Sequence, residues 1–263
     1  MYKRRTLHRS AIAALLAGAL LLLASLPAYT QTGPLAGQTI CLDPGHGGSD
    51  PGAVNEAYGL EEADINLDVA YGLKALLEAD GAEVVMTRTD DSDKSNNDRY
   101  TFCNNEQATI LVSVHTNSVT ESSWDGSLGL YAPMDDPALA QAIYDEMYPF
   151  LQDKAPEGVD FRDFGLDRFA SGVLFKSDMP AAMMEPLFMS NPAEADWLTV
   201  TLNQVDDQGV VLLGEEGNPA PNPECDDCRR AQIAQAINEG IVSYFAQGGG
   251  GRPCDDPPCG NRK

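Results

Sequence analysis

Two histidines and two glutamates are the side chains of this sequence most able to share one reaction site. His46 follows the apolar segment QTICLD, and His115 ends the apolar segment TILVSVH. Glu62 lies 16 residues after His46, and Glu185 ends the segment MPAAMME, where an unpaired carboxylate would be costly. Two imidazoles and a carboxylate form the protein part of a catalytic zinc site, which keeps a fourth position open. The residue types therefore favour His46, Glu62 and His115 as metal ligands, and they leave Glu185 either paired with a cation or functional.

The segment around His46 is rich in residues that interrupt regular structure. It reads CLDPGHGGSDPGA over residues 41–53. Glycines permit sharp backbone turns, so this segment can direct His46 from a strand end toward a point shared with distant parts of the chain. A simpler interpretation stays open at this stage. A lone loop histidine is more often a surface or hydrogen-bonding residue, and a glutamate at a helix start, such as Glu62, more often interacts with the helix dipole.

Hydrophobic periodicity predicts strands that alternate with helices. Apolar residues recur at spacings of three and four between Glu61 and Asp80, as on one helix face, and Gly81 follows as a cap. Strands are predicted at residues 38–44, 82–88, 109–115, 127–133, 172–177 and 179–188, and helices at 61–80, 98–107, 137–153 and 229–246. This alternation is typical of a three-layer α/β fold, with a mostly parallel or mixed sheet flanked by helices. In such sheets ligands collect beyond the carboxyl ends of strands, where His46 and His115 are expected.

The amino-terminal segment has the order of a secretory signal peptide. Four basic residues precede position 10, the apolar run Ala11–Leu26 follows, and small residues come next. We predict a signal peptide over residues 1–30, with cleavage near Ala28 to Thr32. An uncleaved membrane anchor is the alternative, although the run is short for a spanning helix. Export places the mature chain in the periplasm or outside the cell.

The remaining chain is predicted to form a single domain with two additions. The periodic segments extend over residues 37–247, which we expect to be the catalytic domain. Residues 199–227 are acidic and contain several glycines and prolines, so they are predicted to be a surface insertion. Residues 248–263 form a tail of glycine, proline and cysteine character.

The charge balance excludes several classes of partner. The formal net charge is −23, with 17 basic and 40 acidic residues. Removal of residues 1–30 takes away four positive charges and no acidic residue, which leaves −27. Such a surface repels nucleic acid and anionic membranes, so neither is expected as a partner.

Six cysteines remain after export, and disulfides are the expected state in an oxidising compartment. Six cysteines allow 15 pairings, so their connectivity cannot be read from the sequence. The last four form a C-x2-C and C-x4-C pattern, for which a structural zinc site is the alternative.

Four segments in order resemble a known family. These are LDPGHGGSDPGA, GLEEADINL, SVHTNS and MPAAMMEPLFMSNPAEA, and they are similar to motifs of the zinc-dependent N-acetylmuramoyl-L-alanine amidases of the amidase-3 type. AEVVMTRTDD and DRYTFCNN resemble the second strand and the helix after it. The resemblance extends from about Thr39 to Ala195 and resumes at the final helix.

The resemblance implies a function and a role for each site residue. It implies hydrolysis of the amide between N-acetylmuramic acid and L-alanine in peptidoglycan, with one Zn²⁺ per chain. We expect the protein to be a monomer. His46, Glu62 and His115 match the ligands, with Glu61 as the alternative one residue away. Glu185 matches the catalytic glutamate. Asp43 and Asn117 lie beside the ligands in sequence and are expected to support them or to contact substrate.

The sequence departs from the family pattern after the catalytic glutamate. Glu185 is followed by Pro-Leu-Phe, where the family usually has glycine before phenylalanine. Residues 116–178 are too short for the long inhibitory helix that some relatives carry. Two other functions stay open. One is a different zinc peptidase acting on cell-wall peptides, and the other is a non-catalytic or activator-dependent wall-binding protein on an amidase scaffold. In the second case the acidic insertion would cover the site.

Overall fold

A computed structural model describes residues 32–206, 211–212, 214 and 219–249. The predicted signal peptide, most of the predicted tail and part of the predicted insertion lie outside these residues. Within the described ranges, every helix is too short or too polar to cross a membrane.

A six-stranded mixed sheet forms the centre of the molecule. Its strand order is β4-β1-β5-β8-β6-β7. The first four strands are parallel, β6 runs antiparallel to β8, and β7 is parallel to β6. A separate hairpin pairs β2 with β3. The strands are β1 Thr39–Pro44, β2 Val54–Asn55, β3 Leu60–Glu61, β4 Glu83–Met86, β5 Ile110–Val114, β6 Asp125–Tyr131, β7 Phe161–Arg168 and β8 Ala181–Glu185.

Helices cover both faces of the sheet, so the predicted three-layer α/β fold is confirmed. One face packs against α1, α3 and α6, and the other packs against α2 and α4. The helices are α1 Glu62–Ala79, α2 Asn96–Asn105, α3 Ala138–Asp153, α4 Gly172–Phe175, α5 Pro192–Leu198 and α6 Arg229–Ala246.

One predicted strand is wrong, and four elements were missed: the short hairpin strands β2 and β3, the strand β7 and the helix α5. The segment GVLFKS begins with helix α4, where the side chain of Ser171 accepts a hydrogen bond from the amide of Val173. Val173 and Leu174 are both buried in the same cluster, which adjacent residues of a strand do not allow because they face opposite sides. Strand β7 reads FRDFGLDR and is largely polar because it lies at the sheet edge. Helix α5 is short and carries no clear apolar period.

Strand alternation brings the predicted site residues to one face of the sheet. Cys41, Leu111 and Met183 all lie in the core cluster beneath α2 and α4. Every second residue of a strand points to the same face. Asp43, Ser113 and Glu185 lie two positions further along β1, β5 and β8, and therefore project on that side. His115, directly after β5, does so as well. They do so where three adjacent parallel strands end.

The described cysteines form two disulfides. Cys41 of β1 is bonded to Cys103 of α2, and Cys225 is bonded to Cys228 just before α6. The pairing of Cys225 with Cys228 disfavours the structural zinc alternative for this pair. Cys254 and Cys259 lie outside the described residues.

The described part of the insertion lies on the opposite side of the sheet from α2 and α4. The carboxylate of Asp68, on α1, accepts hydrogen bonds from the backbone amides of Leu202 and Asn203. It also forms an ion pair with Arg230 of α6. Leu202 also packs closely against Gly72 of α1, since a Cβ added to Gly72 would lie 2.4 Å from Cδ1 of Leu202. These contacts attach the insertion to α1 and α6. They do not support the expectation that it covers the predicted site.

A buried ion pair and a second carboxylate connect α5, α6 and β6. Arg229 and Glu194 are fully buried, and their closest atoms, Nη2 and Oε1, are 2.5 Å apart. Asp125, also fully buried, accepts a hydrogen bond from the amide of Phe188 at 3.0 Å. Burial, followed by the charge of Glu194, raises the pKa of Asp125 to about 8. Asp125 is thus favoured in its neutral form in the folded protein.

We expect Asp125→Asn to reduce the loss of stability in alkaline solution. Because the folded pKa lies above the ordinary value of 3.8, the stabilisation by neutral Asp125 is complete below about pH 4 and is lost as pH rises toward 8. Asparagine stays neutral throughout. Urea unfolding should show that the free energy of unfolding falls less between pH 5 and pH 9 for the variant than for wild type. The difference should be on the order of a few kcal/mol. The exposed control Asp196→Asn should follow wild type, and an equal fall in Asp125→Asn would contradict the account.

Candidate active site

His46, Glu62 and His115 come together at the carboxyl ends of β1 and β5. Glu62 Oε1 lies 3.2 Å from His46 Nε2 and 3.0 Å from His115 Nδ1. The two imidazole rings meet edge to face, with centroids 4.9 Å apart. The three ligand atoms lie within 4.8 Å of one another, and they are the one such group found among the described residues. All three predicted ligands therefore share one point, whereas the neighbouring Glu61 is exposed and outside this group.

Glu62 is the fixed centre of this group. It is the first residue of α1, and its side chain is only 8% exposed. Backbone amides of Ala53 and Thr116 donate to its carboxylate, and so does the side-chain amide of Asn66. Burial by itself would raise the pKa of Glu62, but hydrogen bonds from His115 and His46 outweigh burial and hold the pKa well below its usual range. Glu62 is therefore an ionised carboxylate in a defined position.

His46 is oriented from both sides of its ring. Its backbone has a φ of 62°, a left-handed conformation that is uncommon outside glycine. Nδ1 lies 2.8 Å from the carboxylate of Asp50, which leaves Nε2 to face Glu62. The hydrogen bond with Glu62 raises the pKa of His46 to about 9, against the effect of burial. Metal binding requires the neutral ring, so it would displace a proton here.

Two glycines leave room for the ligands. A Cβ on Gly45 would lie 2.3 Å from Cε1 of His115, and a Cβ on Gly52 would lie 2.6 Å from Glu62 Oε2. Gly52 also has a φ of 67°, which disfavours other residues. The glycines around His46 are thus needed because the ligand side chains approach the backbone closely, as well as for the sharp turn.

Glu185 ends β8 beside these three residues. The amide of His115 donates to the carbonyl of Met184, which sets the β8 end next to the β5 end. Glu185 lines the same cavity, and its Oε2 is a buried atom that has no hydrogen-bond partner in the described part of the chain. Burial raises the pKa of Glu185 to about 7, although the charge of His115 opposes the increase. No cation pairs with Glu185 within hydrogen-bond distance among the described residues, so the functional alternative of the sequence analysis is favoured.

Asp43 supports the backbone around His46 through Arg99. Its carboxylate accepts hydrogen bonds from Thr87 at 2.6 Å, Ser113 at 2.7 Å and Arg99 at 2.8 Å. Arg99 in turn donates to the carbonyls of Pro44 and His46. Burial would raise the pKa of Asp43, but the charge of Arg99 and these hydrogen bonds hold it below its usual value. Asp43 thus fixes the backbone that carries His46.

A cavity of about 610 Å³ opens over these side chains. Asn117 lines it, with its backbone held against Leu187 and Met189, and its expected contact with substrate remains a prediction. Lys94 and Phe169 also line it, and the sequence analysis did not select either. Neither lies in a recognisable motif. The one sequence signal for them is position, since Lys94 lies two residues before the start of α2 and Phe169 directly follows β7.

The donor set fits a zinc ion. Zinc binds imidazole nitrogens and carboxylate oxygens at about 2.0–2.2 Å, so two ligands of one tetrahedral ion lie roughly 3.3 Å apart. The distances from Glu62 to the two histidines are close to this value. Asp50 on the second nitrogen of His46 is the type of partner that orients a metal-binding imidazole.

We expect Gly45→Ala to weaken metal binding by about 10- to 100-fold, the range typical of lost ligand orientation. The added Cβ would collide with the ring of His115 and move its nitrogen. Competition with a chelating dye measures the affinity. Gly172→Ala is the control, because Gly172 lines the same cavity but an added Cβ meets only Asn96, at 3.3 Å. Wild-type affinity in Gly45→Ala would show that this close approach does not hold His115 in place.

The family model of the N-acetylmuramoyl-L-alanine amidases of the amidase-3 type matches residues 40–208. The chain belongs to this family. The matched region includes His46, Glu62, His115 and Glu185, so the site described above lies within the family's domain.

Curated relatives and solved structures agree with this membership. The N-acetylmuramoyl-L-alanine amidase LytC of Bacillus subtilis (strain 168) is 30% identical over 212 residues, which cover 81% of this chain and 36% of that protein. The germination-specific N-acetylmuramoyl-L-alanine amidase of the same organism is 28% identical over 243 residues. The match covers 86% of this chain and 84% of that protein. The chain thus spans about a third of LytC and most of the second relative.

A solved amidase has the same fold. The CwlD amidase of Clostridioides difficile, in complex with the GerS lipoprotein, superimposes with a TM-score of 0.58. It is 28% identical, and the match covers 80% of this chain and 99% of CwlD. This amidase-family chain therefore shares its fold with that solved amidase over nearly the whole length of the latter.

Proposed function

We propose that this chain hydrolyses the amide that joins the lactyl group of N-acetylmuramic acid to L-alanine in peptidoglycan stem peptides. One observation carries the proposal. Two histidines, an ionised glutamate and a second glutamate, one oxygen of which has no hydrogen-bond partner in the described part of the chain, line one open cavity. They do so in a chain of the amidase-3 family.

We infer that His46, Glu62 and His115 hold one zinc ion per chain. The imidazole nitrogens and the carboxylate supply three ligands, and the cavity above them leaves room for substrate. When bound, zinc supplies a Lewis acid that polarises a carbonyl oxygen and lowers the pKa of water. The protein contributes the negative charge of Glu62 and, through Asp50, the orientation of His46.

Glu185 is proposed as the acid–base group. Its carboxylate would take a proton from the attacking water as the new carbon–oxygen bond forms. It would then donate that proton to the alanine nitrogen as the carbon–nitrogen bond breaks. A pKa raised toward 7 by burial suits both steps, because the group can accept and release a proton near neutral pH.

The setting of the reaction follows from the substrate. Peptidoglycan lies outside the cytoplasm, in agreement with the predicted signal peptide, and we propose that the protein acts there as a monomer. CwlD, which this chain resembles, is found in complex with a lipoprotein, so an activating protein partner is compatible with the proposal.

The test is removal and return of the metal. A chelator should abolish the release of L-alanine amino termini from purified peptidoglycan, and about one equivalent of Zn²⁺ per chain should restore it. A different zinc peptidase would free other amino termini. A non-catalytic wall-binding protein would sediment with peptidoglycan and free none, and either result would overturn the proposal.

A further inference from the structure

Lys94 lines the active-site cavity, and among the described residues its ammonium has no hydrogen-bond or ion-pair partner. The charged side chains that line the cavity, besides the two histidines, are Asp43, Asp50, Glu62, Lys94, Arg99 and Glu185. The guanidinium of Arg99 is fully engaged by Asp43 and by backbone carbonyls. The ammonium of Lys94 makes no hydrogen bond or ion pair with any described residue. Its charge is therefore available to a molecule in the cavity.

The backbone around Lys94 is fixed. On its amino-terminal side, Asp91 accepts a hydrogen bond from the amide of Gly48 at 2.6 Å, and Asp93 accepts one from Ser49 at 2.7 Å. The carbonyl of Lys94 itself accepts from Arg99 Nε at 3.0 Å. The segment is thus tied to the loop that carries His46, and Lys94 is half-buried at the cavity wall.

The acidic residues near Lys94 in sequence are engaged elsewhere. Asp91 and Asp93 bind the His46 loop, as described above. Asp98 bonds to Ser95 in the capping box that begins α2. The charge of Lys94 helps to lower the pKa of Asp98, after the hydrogen bonds with Ser95, but none of these carboxylates lies within ion-pair distance of its ammonium.

The proposed substrate carries the charge that Lys94 could bind. In peptidoglycan, L-alanine is followed by a glutamate linked through its side chain, which leaves its α-carboxylate free unless it is amidated. That carboxylate lies about two residue lengths, or roughly 7 Å, from the scissile amide. A protein with a net charge of −23 has no general attraction for such a group, so a local cation is needed.

We propose that Lys94 is a specificity residue that binds the free α-carboxylate of the stem-peptide residue after L-alanine. The inference rests on the proposed amidase function. It predicts that the protein discriminates between stem peptides that carry this carboxylate and stem peptides in which it is a carboxamide. Lys94 is neither a proposed metal ligand nor the proposed acid–base group, so the interaction should contribute equally to bound substrate and transition state and appear in KM.

The test compares two synthetic muropeptides that differ only in this carboxylate or carboxamide. Wild type should cleave the carboxylate form with a kcat/KM roughly 5- to 10-fold higher, mainly through a lower KM. Lys94→Gln should lose this preference and keep its kcat, while Lys94→Arg should retain most of it. Lys74→Gln is the matched control. It removes the same charge from α1, outside the active-site cavity, and should behave as wild type.

The outcomes separate the inference from the proposed function. If wild type cleaves both muropeptides equally well and Lys94→Gln matches it, the role of Lys94 is wrong while the amidase function stands. If wild type cleaves neither, the proposed function itself fails. A loss of activity in Lys94→Gln that is equal for both muropeptides, and appears in kcat, would indicate a structural role and would also overturn the inference.

Discussion

Replacing Glu185 by glutamine is expected to lower turnover on peptidoglycan by about 10²–10⁴-fold, the usual effect of losing a general acid–base group. Glutamine has nearly the shape of glutamate but cannot accept the proton of the attacking water. Glu185 is outside the group formed by His46, Glu62 and His115, so the metal content should stay at the wild-type value. The effect should appear in kcat, because the lost interaction acts in the transition state.

The measurement is single-substrate kinetics together with metal analysis of the same sample. Glu157→Gln, at an exposed turn, makes the same chemical change far from any predicted role and should match wild type. Normal turnover in Glu185→Gln would remove this residue from the mechanism. Loss of metal along with turnover would instead assign Glu185 to the ligand set.

Replacing His115 by alanine is expected to abolish stoichiometric metal binding. The substitution removes one of three ligands and also the hydrogen bond that His115 Nδ1 makes with Glu62 at 3.0 Å. Two remaining ligands cannot hold zinc in the manner of a three-ligand catalytic site. After dialysis, elemental analysis should give about one zinc per chain for wild type and less than about a tenth for the variant.

A matched variant tests the assignment of the carboxylate ligand. Glu61→Gln changes the neighbouring glutamate, which is exposed and lies outside the ligand group, and should keep its zinc. Stoichiometric zinc in His115→Ala would mean that the ligand set is misassigned. Loss of zinc in Glu61→Gln would shift the carboxylate role by one residue.

The positions of the site residues follow from strand ends and strand alternation. Apolar runs predicted β1, β5 and β8, and parallel strands end at the same edge of a sheet. Because His46 and His115 follow two of these strands and Glu185 ends the third, their meeting could be expected before the structure was known. Glu62 was expected from the family resemblance, with Glu61 as the alternative, because a glutamate at a helix start by itself more often interacts with the helix dipole.

The interactions that hold the site could not be predicted from the sequence. Asp43 and Arg99 are 56 residues apart, and their contact depends on how α2 packs on the sheet. The pairing of Cys41 with Cys103 depends on the same packing, which explains why the 15 possible connectivities could not be narrowed. The local sequence pattern also predicted the wrong element at α4. Its apolar residues are typical of a strand, but the cap at Ser171 starts a helix there.

The mass of the products released from intact peptidoglycan tests the central claim most directly. Hydrolysis at the proposed amide predicts free stem peptides with L-alanine at the amino terminus and glycan strands whose muramic acids carry an unsubstituted lactyl carboxylate. Fragments cut within the stem peptide, with L-alanine still attached to the sugar, would contradict the proposed function.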